Sequence, residues 1–205
     1  MGLSKETIRA SLDMIRKVEP RFEKAIAAAG YPEPRINPPG YQTLLRTIVG
    51  QQVSVAAATS VWNKLEALLG EGCPAEKLIA TDFDALRACG LSRQKQGYAR
   101  SLAELIMSGE LDLDNLPDGD EEAIALLTKI KGIGRWSAEI YLLFALGRPD
   151  IWPAGDLAIQ AGAGSILGHD TRPSEKELRE IAIPWSPHRG AVAIFIWHHY
   201  NTTVM

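Results

Sequence analysis

The sequence predicts an all-α protein in two helical lobes, and three features carry that expectation. Nearly every segment repeats its apolar residues at helical spacing. No run of alternating β-branched residues reads as a strand. The gaps between periodic segments hold helix caps and stops, with serine or aspartate ahead of a segment and glycine or proline behind it. The chain has 205 residues, of which 46% are hydrophobic and 23% charged, so it can bury a core as one domain or two closely packed small lobes.

The first helix is expected over Lys5 to Val18, with Ile8, Leu12 and Ile15 on one face. Pro20 restarts a helix as a first-turn proline, and Gly30 caps it. Residues 31–40 contain four prolines and must be an extended connection between lobes. A helix then runs from about Gln42 to Val49 and breaks at Gly50-Gln51-Gln52-Val53, after which Ser54 caps a long helix ending near Leu69. Short helices follow at Ala75 to Ala80 and Phe83 to Ala88, and Ser92 caps another through Met107. Asp120 is expected to cap the next, with Glu121 and Glu122 at the positive end of the helix dipole and Ile124, Leu127 and Ile130 as its buried stripe. Trp136 to Leu146 is almost wholly apolar and reads as a central helix stopped by Gly147 and Pro149. Asp156 occupies the N-cap position of a helix over Leu157 to Leu167. Pro173-Ser174 opens a helix to Ile183, and Pro187 begins the last one, through Tyr200. The expected lobes are residues 40–148, and residues 1–39 together with 149–205, with a cleft between them.

Composition narrows the function classes. The amino terminus is polar and lacks the apolar centre of a signal peptide, and the longest apolar run, Ala191 to Trp197, is far short of a membrane span, so the expectation is a cytoplasmic location, nucleoid-associated if the source is bacterial, with no membrane partner; a monomer is also expected. Cys73 and Cys89 provide neither a disulfide framework nor the four thiolates of an iron–sulfur cluster, and read as small apolar side chains. His198 and His199 diverge on one helix with no evident third ligand, which argues against a histidine metal site. The net charge of −3 argues mildly against a broad basic surface, although backbone amides and one or two arginines can bind phosphate without one.

The most informative stretch is Thr128-Lys129-Ile130-Lys131-Gly132-Ile133-Gly134-Arg135-Trp136-Ser137-Ala138, followed by Trp152-Pro153-Ala154-Gly155-Asp156-Leu157. Glycines at 132 and 134 let the backbone turn through positive φ and approach another surface, while Ile133 plugs inward. The amides of Gly134, Arg135 and Trp136 begin the next helix and favour an anion. A tight helix–helix turn with no ligand is the plain alternative. A dinucleotide-binding loop is excluded, because a helix precedes the glycines where that motif has a strand. Asp156 is an isolated carboxylate whose plain reading is a helix cap.

Leu127-x-x-Ile130-Lys131-Gly132-Ile133-Gly134-Arg135-Trp136-Ser137-Ala138 with Gly155-Asp156 resembles the helix-hairpin-helix, Gly/Pro-rich, Asp superfamily of base-excision DNA glycosylases. Leu44-Leu45-Arg46-x-Ile48-x-Gly50-Gln51-Gln52-Val53-Ser54 and Trp185-Ser186-Pro187-x-Arg189 extend the resemblance to its alkylpurine branch, the 3-methyladenine DNA glycosylase II type. The resemblance implies a partner, double-stranded DNA containing alkylated bases, and base flipping followed by hydrolysis of the N-glycosidic bond. It makes Asp156 the group that stabilises positive charge on the deoxyribose or orients the attacking water. A carboxylate about 4 Å from such a cation interacts by roughly 4 kcal/mol at a surface-like dielectric, about three powers of ten in rate.

The resemblance places the hairpin residues Gly132, Gly134, Arg135 and Ser137 on the DNA backbone, and Gln52 as a wedge where the base has left. Superfamily members that also cut the strand carry a lysine where this chain has Trp136. An indole forms no Schiff base, so a monofunctional enzyme without lyase activity is expected. Trp136 can instead stack on an electron-poor alkylated purine, its plain alternative being an apolar residue between helices. His188 stands where some relatives place an aromatic residue and suggests a more polar base pocket. The resemblance also allows a monovalent cation, Na+ or K+, on the carbonyls of Thr128, Ile130 and Gly132, bridging to a DNA phosphate; no other cofactor is expected. No counterpart of the N-terminal β-domain found in some bacterial relatives is expected. Two rival readings remain: a non-catalytic helix-hairpin-helix DNA-binding protein, and a glycosylase for oxidised or mismatched bases.

Overall fold

The computed structural model describes residues 2–204, and among them every regular element is helical. The order is α1 (Lys5–Val18), α2 (Arg21–Ala29), α3 (Tyr41–Gly50), α4 (Val55–Leu69), α5 (Ala75–Ala80), α6 (Phe83–Ala88), α7 (Arg93–Met107), α8 (Asp120–Leu127), α9 (Arg135–Phe144), α10 (Leu157–Leu167), α11 (Glu175–Ile181) and α12 (Arg189–His199), the last continued by a π-turn at Tyr200–Val204. No helix among the described residues is long and apolar enough to cross a membrane. Two compact units emerge, Met1–Asn37 with Leu142–Met205, and Pro38–Tyr141, so the division falls inside α9.

Local chemistry explains most boundaries. Ser4, Ser54 and Ser92 each turn their hydroxyl onto the third amide of the helix they cap, and Ser174 does so within a full capping box with Glu177. Several boundaries differ from expectation: α9 runs over Arg135–Phe144 and not Trp136 to Leu146, α12 starts at Arg189 and not at Pro187, and three others have a local cause. Gly119 is the cap of α8, and Asp120 lies one position inside, in the first turn, where its charge still faces the dipole. Pro20 is itself the cap of α2. The helix opened by Ser174 stops at Ile181 because Pro184 lacks the amide needed to continue it, and a short 3-10 turn over Ile183–Trp185 follows.

The unit made from the two chain ends packs around aromatic rings. Phe22 meets Trp185 edge-on at 5.4 Å, and Trp185 meets Trp152 edge-on at 5.5 Å. Helices α10 and α12 approach closely enough that a Cβ on Gly162 would lie 2.6 Å from Ile196, so glycine is required there. Arg189, at the start of α12, clamps Asp150 through both oxygens at 2.8 and 2.6 Å, and Ser186 adds a third bond at 2.7 Å. In the Pro38–Tyr141 unit, α3 packs on α4 and α7, and α5 packs on α7. Its core is aliphatic, with Leu44, Leu45, Ile48, Leu65, Leu78 and Leu102 fully buried. Cys73 is buried there as well, and burial pushes its thiol up to about 11.

Burial pushes Asp150 upward, but the hydrogen bonds from Arg189 and Ser186 outweigh it and hold the carboxyl below its ordinary value. The stabilisation from this pair is therefore complete above 3.8, the ordinary aspartate value, and fades as pH falls through the lower folded value. Asp150→Asn is predicted to cost about 2 kcal/mol at neutral pH. Unfolding in denaturant should show this deficit shrinking below about pH 4.

Candidate active site

The hairpin lies between α8 and α9. After α8, amides at Lys129 and Ile130 bond back to Leu126 and Leu127, and Gly132 then reverses the chain at φ +82. A Cβ on Gly132 would sit 2.2 Å from the Tyr98 ring, so the turn demands glycine for both its dihedral and its lack of a side chain. Ile133 is buried, as its role as a plug requires, and Gly134 immediately precedes α9 with no side chain over the first amides.

Helix α7 holds this turn through one stripe at three-residue spacing. Ser101 Oγ accepts the amide of Lys131 at 3.1 Å, and Tyr98 packs beneath Gly132. Lys95 Nζ donates to the carbonyl of Val49, at the C-terminal end of α3, at 2.8 Å. Burial lowers the Lys95 pKa from its ordinary value. Beyond α3 comes the loop Gln51 to Ser54. Gln52 is exposed at φ +54, one of two non-glycine residues in the left-handed region among the described residues. Gln51 reaches from this loop to the hairpin, its Nε2 donating to the Gly132 carbonyl at 2.8 Å.

These parts surround one hollow of about 700 Å³, lined among others by Gln52, Lys95, Tyr98, Gly132, Trp136 and Ser137. Trp136 is 48% exposed, so its ring is not core packing. The side chain of Arg135 is held by two carboxylates. Its guanidinium is forked onto Glu121 and bonded at 3.0 Å to Glu139, which is buried. The bond to Glu121, together with the Glu139 charge, holds its pKa above the ordinary arginine value. The side chain of Arg135 therefore stitches α9 to α8, and only its backbone amide remains for an anion at the hairpin.

The carbonyls of Ile130 and Gly132 accept from Ile133 N at 3.0 Å and Gln51 Nε2 at 2.8 Å. A carbonyl oxygen has two lone pairs, so each keeps a second position, and neutral oxygen donors suit a hard alkali cation. Together with the Thr128 carbonyl, the donor set fits such an ion.

In the other unit, Asp156 is the N-cap of α10. Its Oδ1 accepts from the amides of Ala158 at 2.8 Å and Ile159 at 2.9 Å, and from Trp197 Nε1 at 3.2 Å. Ile151 to Ala154, just ahead, is buried. Gln160 Nε2 fixes the Ala154 carbonyl at 2.9 Å, so the carboxylate stands on a rigid turn. Trp197 in turn rests on Phe144, with ring centroids 5.7 Å apart. Asp156 remains half-exposed. His188 precedes α12, and its Nδ1 is 3.1 Å from Ser11 Oγ on α1. Trp197, Gln51 and the α7 stripe are site components that sequence reasoning missed. Gln51 was visible within the Gln51-Gln52 pair, whereas the Trp197 bond spans 41 positions and has no local signature.

The sequence profile of the HhH-GPD superfamily of base excision DNA repair proteins matches residues 45–187. The chain is 33% identical to DNA-3-methyladenine glycosylase 1 of Schizosaccharomyces pombe over 161 residues, covering 77% of this chain and 71% of that protein. Its fold resembles that of DNA-3-methyladenine glycosidase from Bacillus halodurans with a TM-score of 0.88 at 32% identity, over 95% of this chain and 90% of that one. It also resembles the S. pombe 3-methyladenine DNA glycosylase in complex with abasic DNA, with a TM-score of 0.81 at 28% identity, over 96% of this chain and 98% of that one.

Two substitutions should move stability in opposite directions. Gly132→Ala is predicted to destabilise by about 2 kcal/mol or more, through the positive φ and the clash with Tyr98. Gln52→Gly is predicted to stabilise by about 0.5–1 kcal/mol by relieving a left-handed residue. Thermal or denaturant unfolding of the two variants checks both.

Proposed function

The chain belongs to the HhH-GPD superfamily of base-excision DNA repair proteins, and from that premise we propose that it is a monofunctional DNA glycosylase excising alkylated purines of the 3-methyladenine and 7-methylguanine type. The observation that carries the reading is Asp156, whose carboxylate is fixed by two helix amides and an indole N–H while staying half-exposed. A preorganised negative charge of this kind stabilises the oxocarbenium-like sugar formed as the glycosidic bond breaks, and costs no reorganisation at that moment. Such stabilisation is worth roughly 4 kcal/mol at about 4 Å.

The remaining residues supply binding. The first amides of α9 take a DNA phosphate, as helix N-termini do. Gln52 fills the space vacated by the flipped nucleotide and offers its amide to the widowed base. Trp136, with its half-exposed indole, gives the extruded purine an electron-rich face, and cationic alkylated bases gain most from it. His188 contributes a polar edge to the base pocket. A monovalent cation on the carbonyls of Thr128, Ile130 and Gly132 would add positive charge toward the phosphate. Alkylated purines that already carry positive charge are good leaving groups, so a carboxylate and an ordered water suffice for the chemistry. The protein acts as a monomer on cytoplasmic or nucleoid DNA.

Asp156→Asn separates charge from capping, because asparagine caps a helix about as well as aspartate. Purified protein incubated with methylated DNA should release free methylpurine, read by chromatography. The variant should fold and bind DNA normally while releasing base about a thousandfold more slowly. No base release by the wild type would exclude the glycosylase reading and favour a binding module; wild-type release by the variant would remove Asp156 from the chemistry.

A further inference from the structure

The loop carrying Gln52 is held from two sides. Behind it, Lys95 Nζ fixes the Val49 carbonyl near the end of α3; in front, Gln51 Nε2 donates to the carbonyl of Gly132, at 2.8 Å in each case. The two elements lie 81 positions apart in sequence, within the same compact unit, and line the same hollow. Gly132 reverses the hairpin, and the amides that follow it begin α9. Any shift of that carbonyl displaces the hairpin's anion-facing end, and through Gln51 it displaces the Gln52 loop with it. The coupled loop is also conformationally costly, since Gln52 sits at φ +54. An isolated loop would relax from that conformation.

We propose that Gln51 is a positioning residue that locks the Gln52 loop to the hairpin through the Gly132 carbonyl, so that phosphate capture by the hairpin and insertion of Gln52 occur as one event. This rests on the function proposed above. The lock presets the loop in its inserting conformation, which removes an ordering cost from binding at a site where a base is missing. Intact duplex offers no vacancy for Gln52, and the gain does not apply there. Gln51 therefore discriminates between abasic and intact DNA without touching either strand.

Gln51→Met keeps the length of the side chain and removes the donor, whereas Gln51→Lys restores a donor. In the free protein, hydrogen–deuterium exchange of residues 50–54 should be faster in Gln51→Met than in wild type, with thermal stability almost unchanged. Affinity for a duplex with a central abasic site should fall about fivefold, the worth of one partly solvated hydrogen bond, while affinity for the intact duplex stays constant. Gln51→Lys should recover most of both losses. Unchanged exchange in Gln51→Met, unchanged abasic affinity, or an equal loss on both duplexes would each overturn the proposal. Release of methylpurine by the wild type is measured alongside. Its absence would strike the glycosylase reading itself, whereas normal release with unchanged exchange in Gln51→Met would strike only the lock.

Discussion

The candidate DNA-binding surface depends on one constraint, the absence of a side chain at Gly132. The Tyr98 ring occupies the space a Cβ would need, and the turn at φ +82 leaves the Gly132 carbonyl pointing at Gln51. From there the dependence spreads along α7, whose Lys95, Tyr98 and Ser101 hold the end of α3, the floor of the turn and the entry to the hairpin. One stripe of a single helix thus sets both the loop that carries Gln52 and the turn that leads into the first amides of α9. Polar and aromatic residues at three-residue spacing usually form a solvated face; here each is spent on a backbone group of another element.

Charge is economised in the same way. The net charge is −3, and Arg135, the arginine nearest the hairpin amides, is occupied by Glu121 and Glu139. Phosphate recognition as proposed then rests on helix amides, which bring no net charge and little long-range attraction. Asp156 uses a helix N-terminus in the opposite sense, as the cap itself. The amides of Ala158 and Ile159 set its rotamer, and Trp197 adds a donor from α12. A residue fixed by the fold in this way needs no binding energy to become ordered for chemistry.

Much of this was legible in the sequence because it is local. Serine caps, the Asp156 cap, the glycine reversal and the Ile133 plug are written within a few residues of where they act. Gly119 displaces Asp120 as the cap of α8 by a single position, an error of register and not of kind. The chemistry that escaped is long-range. Nothing near Trp197 announces a bond to Asp156, and nothing near Arg135 announces the fork onto Glu121 fourteen positions earlier. His188 could be read as a polar member of a pocket, but its contact with Ser11 on α1 required the folded chain. Gln51 lies between the two cases: its place beside Gln52 was visible, and its partner was not.

The central claim is a division of labour, in which Asp156 supports loss of the base and Trp136, in place of a lysine, leaves the strand alone. The most direct measurement uses a duplex with one 7-methylguanine, treated with the protein and run on a denaturing gel with and without alkali. Intact strands without alkali and cleavage at the lesion after alkali are the predicted result, since hydrolysis leaves an abasic site. Cleavage before alkali, or none after it, would contradict the account.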